Sequence, residues 1–178
     1  MRIITGKFKG RILNAPKNNS VRPTSDKVKE AVFSMIREQI EGSVIIDLFS
    51  GTGSLGLEGL SGGAKKCYFC DNSKESLDLI KSNIDLCGVT GSSTLIYGSY
   101  RKALARIKEK ADVIFLDPPY EKKLVTPCLE LIKEFNALNR DGVIVCEHMA
   151  SEALPDELSG FCKVNEKKYG TILVSLYG

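Results

Sequence analysis

At 178 residues the chain is long enough for one domain with a sizeable core, and its 43% hydrophobic and 26% charged residues are ordinary globular values. A formal net charge of +3 is too mild to argue for a nucleic-acid partner by itself. No apolar run reaches membrane-spanning length and no apolar h-region follows the N-terminus, so a cytoplasmic protein without membrane association is expected.

The distribution of charge says more than its sum. Arg2, Lys7, Lys9, Arg11, Lys17 and Arg22 fall within residues 1–25, which hold no acid at all. A sign bias confined to one end points to a local anionic partner. The stretch "IITGKFKGRIL" alternates: if extended, Ile4, Gly6, Phe8, Gly10 and Ile12 share one side and Thr5, Lys7, Lys9 and Arg11 the other. A hairpin turning at either glycine is equally compatible with it. "NAPKNNSVRP" then reads as a connection, and Thr24 or Ser25 can N-cap a helix with Val28, Val32, Met35 and Ile36 on one face. This gives a basic N-terminal strand or hairpin extension over 1–22 and a single domain over 23–178.

Residues 44–177 alternate between two textures. Val44–Leu48, Lys66–Cys70, Thr94–Tyr97, Val113–Leu116 and Val143–Cys146 are short apolar runs, with helix-period segments between them. Unbroken apolar strands alternating with helices predict a parallel sheet covered on both faces. Cys162–Lys168 and Thr171–Tyr177, separated by Tyr169-Gly170, predict an antiparallel hairpin at the end. The six cysteines lie in apolar segments and read as small buried hydrophobes. Cys67 and Cys70 have C-x-x-C spacing, but strand residues three apart point to opposite faces, and there is one histidine. No metal site is expected.

The first strand runs into "DLFSGTGSLGLEGL", which carries G-x-G-x-x-G at Gly51, Gly53 and Gly56. Glycines there allow a tight turn and a close approach of backbone to ligand before a helix begins. Asp71, at the end of the second strand, is placed to accept the hydroxyls of a ribose. A dinucleotide would set its pyrophosphate on the helix N-terminus, where a carboxylate is unhelpful. S-adenosylmethionine carries an ammonium and a sulfonium instead, so Asp47 at the tip of the first strand suits the amino-acid end of that cofactor.

"VIFLDPPYEKK" ends the fourth strand on Asp117-Pro118-Pro119-Tyr120, where the prolines cannot continue a central ladder. In a sheet ordered 3-2-1-4-5 the reversal separates strands one and four, and ligands bind there beyond the carboxyl ends. The glycine loop and the Asp-Pro-Pro-Tyr tip should therefore share one crevice. Together they resemble class I methyltransferases that modify exocyclic amines of nucleobases. "RIITGKFKGRIL", "RPTSDKVKEAVFSMI" and "KKYGTILVSLY" add a resemblance, over nearly the whole chain, to the bacterial family that methylates N2 of a guanine in small-subunit (16S) ribosomal RNA.

That resemblance implies a Rossmann-like α/β fold: a mostly parallel seven-stranded sheet, an antiparallel C-terminal hairpin and a short basic N-terminal β extension. It implies S-adenosylmethionine held by Asp47, Phe49, Ser50, Gly51, Thr52, Gly53, Gly56, Asp71, Asn72 and Ser99. Many relatives place an acid or amide after strand three, where this chain has Gly98-Ser99-Tyr100. It further implies ribosomal RNA, free or in an assembled or assembling small subunit, held by Arg2, Lys7, Lys9, Arg11 and Arg22; a monomer is expected. Asp117 and the Pro118 carbonyl only accept hydrogen bonds, so each can take one N–H of a base amine and free its lone pair. Pro119 helps preorganise that carbonyl, and Tyr120 offers a ring on which the base can stack. A DNA adenine-N6 methyltransferase is the alternative, though no segment is large enough for a separate target-recognition domain. A nucleotide-dependent reductase and a non-catalytic RNA-binding module are further readings; the latter leaves Asp117 without a role.

Overall fold

Strands form where the apolar runs are unbroken, and the order in which they pair positions everything else. The computed structural model describes residues 1–16 and 25–178, so Lys17, Arg22 and Thr24 lie outside the described residues. In chain order the elements are α1 (Asp26–Met35), β1 (Val44–Asp47), α2 (Ser54–Ser61), β2 (Lys66–Asp71), α3 (Lys74–Cys87), β3 (Ser93–Tyr97) and α4 (Tyr100–Arg106). They continue as β4 (Ala111–Leu116), α5 (Val125–Glu134), β5 (Leu138–Met149), β6 (Glu157–Leu158), β7 (Phe161–Tyr169) and β8 (Ile172–Tyr177).

The sheet runs β3-β2-β1-β4-β5-β8-β7-β6. Strands β1 to β5 pair in parallel, and β8, β7 and β6 add antiparallel. The reversal falls between β1 and β4, as the expected 3-2-1-4-5 order requires. Among the described residues the sheet has eight strands rather than seven, because the two-residue β6 pairs with Phe161 and Cys162 at the sheet edge. The C-terminal hairpin turns one residue later than the sequence suggested: Tyr169 pairs with Ile172, and Gly170 takes φ +64°.

Each face of the sheet has its own apolar layer. Ile45, Phe69, Val113, Phe115 and Val145 pack with α1, α2 and α3. Ile46, Cys70, Ile114, Leu116, Ile144 and Tyr177 pack with residues of α4 and α5. Cys67 lies in the first layer and Cys70 in the second, as the strand period demands. Five cysteines are buried, but Cys162 is exposed, because β7 presents much of its length to solvent near the sheet edge.

The helix starts follow their caps. Ser25 Oγ accepts from Val28 N at 3.3 Å and Ser73 Oγ from Ser76 N at 3.2 Å. The N-terminal stretch is a hairpin and not a continuous strand. One bridge joins Arg2 to Ile12, Gly10 N donates to Ile3 O at 2.8 Å, and a 3-10 turn covers Gly6–Phe8. The turn breaks the alternating pattern: Ile3 and Leu13 are buried in the layer with α1 and α2, while Ile12 is 74% exposed. Gly6 has no substitute here. Its φ is +73°, and a Cβ would lie 2.0 Å from Ser61 O at the end of α2.

The hairpin is docked by a charge pair that hydropathy does not reveal. Lys29 of α1 and Glu58 of α2 are both fully buried, with Nζ 3.1 Å from Oε2. Lys29 also donates to Arg2 O and Ser54 Oγ. Glu58 accepts from Ile4 N, Thr5 N and Thr5 Oγ1. Burying two charges costs several kcal/mol per ion unless pairing and further hydrogen bonds compensate, and here both are supplied. Glu58→Ala strands the ammonium and three donors of the hairpin, so urea unfolding should show a loss of about 3–5 kcal/mol. Lys29→Met leaves Glu58 with its three backbone and hydroxyl donors and should cost less. The reverse ranking would mean that the hairpin contacts carry little of the stabilisation.

Candidate active site

The register brings the two motifs together. Asp47 pairs with Phe115, and Leu48 N donates to Phe115 O at 3.2 Å, so the tips of β1 and β4 end side by side. A cavity of about 600 Å³ opens over these tips. Its wall includes Asp47, Phe49, Ser50, Gly51, Thr52, Asp71, Asn72 and Ser99 from the cofactor set, and Asp117, Pro118, Pro119 and Tyr120 from the fourth strand. Such a volume is ordinary for a small-molecule site. Gly53 and Gly56 are not in the wall; they shape the turn behind it.

The turn follows from its glycines. Gly51 and Gly53 take φ +53° and +78°, which favour residues without a Cβ. At Gly56 a Cβ would stand 2.4 Å from Phe69 Cε1 and 2.7 Å from Cys67 Sγ, so only glycine lets α2 lie this close to β2. Ser50 Oγ donates to Asp47 O at 2.8 Å and accepts from Cys70 N at 2.9 Å, which clamps β1 to β2. Asn83 of α3, fully buried, donates to Thr52 O and to Asn14 O and accepts from Asn14 N. It thereby ties the glycine loop to the end of the N-terminal segment. Met1 also reaches the cavity, where Thr52 Oγ1 donates to its sulfur at 3.4 Å.

Two carboxyl groups stand in contrasting surroundings. Asp71 accepts from Gly51 N at 3.0 Å through Oδ2 and from Ser73 N at 2.8 Å through Oδ1. Each oxygen keeps a second lone pair for a ligand hydroxyl. Asp47 is 1% exposed; its Oδ2 accepts from Gly56 N at 3.2 Å and its Oδ1 has no hydrogen-bond partner. Burial pushes its pKa up from 3.8 to about 7, and the charge of Asp71 adds to the rise. The Gly56 N–H pulls it down, with smaller help from Phe49 N–H and the Ser50 hydroxyl at longer range.

On the β4 side, Pro118 is buried, and Asp117 and Tyr120 are half-buried. Pro119, at φ −54° and ψ 121°, leads into a 3-10 turn over Tyr120–Lys122. The Tyr120 hydroxyl donates to Glu147 Oε1 at 2.6 Å. Phe49 leans on Tyr100 with ring centroids 5.8 Å apart. Ser99 caps α4 by accepting from Lys102 N at 3.4 Å and also lines the wall. Sequence reasoning missed Met1, Asn83 and Glu147, whose partners are remote in the chain. Among the described residues no group of three His, Cys, Asp or Glu side chains is arranged to hold a metal.

The basic residues of the N-terminal hairpin occupy different settings. Arg2 Nε lies 3.2 Å from Asp26 Oδ2. Arg11 donates to Leu86 O at 2.7 Å and lies over the Phe8 ring, 5.5 Å from its centroid. Lys7 and Lys9 are exposed, and Lys7 flanks the same ring at 6.0 Å. No helix among the described residues is long and apolar enough to cross a membrane.

Comparison with known proteins agrees with this architecture. YlbH of Bacillus subtilis (strain 168) is 38% identical over 180 residues, covering 99% of this chain and 98% of that one. The Haemophilus influenzae protein named Ribosomal RNA small subunit methyltransferase D is 31% identical over 182 residues, covering 99% of this chain and 93% of that one. The solved structure of yhhF from Escherichia coli superposes with a TM-score of 0.89 at 25% identity, over 99% of this chain and 96% of that one. The family model described as Conserved hypothetical protein 95 matches residues 1–178, so the chain belongs to that family, in line with the resemblance its motifs carry.

Proposed function

We propose that the chain is an S-adenosylmethionine-dependent ribosomal RNA methyltransferase that modifies the exocyclic N2 amine of a guanine in 16S ribosomal RNA. The observation that carries the reading is the shared cavity: an amine-accepting Asp117-Pro118 pair stands beside a loop whose buried Asp47 keeps an unpartnered oxygen. The curated relative named for small-subunit ribosomal RNA methylation supports the substrate class. The enzyme acts as a cytoplasmic monomer on the small subunit or its RNA, and residues 1–22 extend the catalytic domain at 23–178 toward the RNA backbone.

The donor set fits the cofactor. An orphaned carboxyl oxygen in a buried place calls for a cationic donor, which the cofactor's ammonium provides. Asp71 retains the lone pairs for the ribose, Gly51 lets the backbone approach, and Phe49, Thr52, Asn72 and Ser99 line the space. When bound, S-adenosylmethionine supplies a methyl group activated by its sulfonium. Asp117 and the Pro118 carbonyl accept the two N–H bonds of the base amine, which draws nitrogen toward tetrahedral geometry. Tyr120 stacks on the extracted base, worth about 1–3 kcal/mol against an unstacking cost of a few kcal/mol. Orientation of the amine supplies the larger part, up to roughly 7–11 kcal/mol of a barrier. The displaced proton passes to Asp117 or to water.

Asp117→Ala should abolish methyl transfer from tritiated cofactor to ribosomal particles, while S-adenosylhomocysteine affinity stays near wild type in calorimetry. Full activity in that variant would sink the mechanism.

A second outcome concerns pH. Between pH 3.8 and about 7 the folded chain holds a proton on Asp47 that the unfolded chain has lost, so this group's contribution to stability falls as pH rises through that window. Above it the penalty is on the order of 4 kcal/mol, at about 1.36 kcal/mol per pKa unit. Asp47→Asn should therefore stabilise the ligand-free protein at pH 8 and not at pH 3.5, and should weaken S-adenosylhomocysteine binding at least roughly tenfold. Equal unfolding midpoints at pH 8 would remove the buried charge from the account.

For the RNA grip, Lys7→Ala with Lys9→Ala should lower the salt slope of RNA binding by about 1.4, near 0.7 per phosphate contact on single strands. Arg2→Ala, whose charge already faces Asp26, should lower it less. An unchanged slope in the double variant would reject the role.

A further inference from the structure

Tyr120 carries a hydroxyl that a stacking platform does not require. That hydroxyl donates to Glu147 Oε1 at 2.6 Å, within the range of short O–H···O⁻ bonds. Glu147 is 5% exposed and is not part of the cavity wall. Its position is set by the sheet. Cys146 pairs with Leu116 in parallel register, so Glu147 stands level with Asp117, and across β8 it pairs with Val174, which is fully buried. A buried carboxyl group is costly unless it accepts hydrogen bonds, and Tyr120 supplies one.

We propose that Glu147 is a positioning residue, which acts through Tyr120 by fixing the plane of the ring on which the target base stacks. The inference rests on the base-methylation reading above and deepens it. The hydrogen bond restrains rotation about the tyrosine side chain, so the ring is in place before the base arrives. A base stacked on a ring of fixed tilt presents its amine to Asp117 and the Pro118 carbonyl at one angle. The bond also draws electron density toward the phenol ring. That favours stacking with a base that gains positive charge as the methyl group arrives. Glu147 should therefore show itself in the rate of transfer and not in cofactor affinity.

The test compares Tyr120→Phe, Glu147→Gln, Glu147→Leu and the Tyr120→Phe/Glu147→Leu double variant. Each is measured in single-turnover transfer of tritiated methyl to small-subunit particles and in S-adenosylhomocysteine calorimetry. Tyr120→Phe and Glu147→Leu should each slow transfer roughly tenfold, with affinity for S-adenosylhomocysteine unchanged. Glu147→Gln still offers an acceptor oxygen and should recover most of the rate. The double variant should be no slower than either single one, because both remove the same bond. Additive losses, or Tyr120→Phe at the wild-type rate, overturn the clamp; the second holds even if Glu147→Leu fails to fold. Wild-type protein inert toward every 16S substrate would overturn the function on which the clamp rests, whereas an active wild type with an indifferent Tyr120→Phe condemns the clamp alone.

Discussion

The buried pair of Lys29 and Glu58 is the joint on which the rest of the site depends. Both charges are out of water, so neither can be satisfied except by the other and by the groups aimed at them. Those groups come from the hairpin at Arg2, Ile4 and Thr5, and from Ser54 at the start of α2. A helix packed this way cannot slide, and α2 is the helix whose N-terminus forms the back of the glycine loop. Gly56 then sets its distance from β2, since a Cβ would collide with Phe69 and Cys67. The geometry of the cavity thus descends from one ion pair and one missing methyl group.

Asp47 is the counterpart in the cavity, a charge buried without full compensation. Unlike Glu58, it has a single hydrogen bond and an oxygen with none. Strain of this kind persists only where the surrounding structure holds it in place. Here Ser50 does so by clamping Asp47 O to Cys70 N, which fixes the end of β1 whatever the protonation of the side chain. In the proposed reading the ligand-free site is therefore preorganised for a cation and destabilised until one arrives. In this protein stability and the capacity to bind pull on the same carboxyl group.

Much of this was legible in the sequence because it depends on local backbone chemistry. The glycine loop, the proline-stopped strand and the unbroken apolar runs each follow from residues adjacent in the chain, and they led to the strand order that joins Asp47 to Asp117. What could not be read shares one cause. Lys29 and Glu58 sit on helices where a charge normally means a solvent face, and their partners are 25 or more residues away. Asn83 and Glu147 are alike: each looks unremarkable until the fold brings it to Asn14 and Thr52, or to Tyr120. The N-terminal alternation left a strand and a hairpin equally open for a related reason. A period-2 pattern assumes an extended chain, and Gly6 and Gly10 at positive φ turn it back on itself, so Ile3 and Leu13 go inward instead of Ile12.

Charge segregation bears on how the proposed reading accommodates an anionic partner. The cavity wall carries Asp47, Asp71 and Asp117, a field that repels phosphate. Lys7, Lys9 and Arg11 stand outside it on the hairpin, and among the described residues Lys122 is the single Lys or Arg in the cavity wall. In the proposed reading this separation orients the nucleotide without reading its sequence. The backbone is held at the basic hairpin, and the neutral base is the part that can enter among the carboxylates. At the tip of the fourth strand the amine meets the Asp117 carboxylate and the Pro118 carbonyl, both acceptors, so a base edge that offers two N–H bonds is favoured there over one that offers lone pairs. Selection of an amine-bearing base thus follows from the sign of the field and from Pro118 and Pro119 having no N–H to offer, before any contact specific to guanine is made.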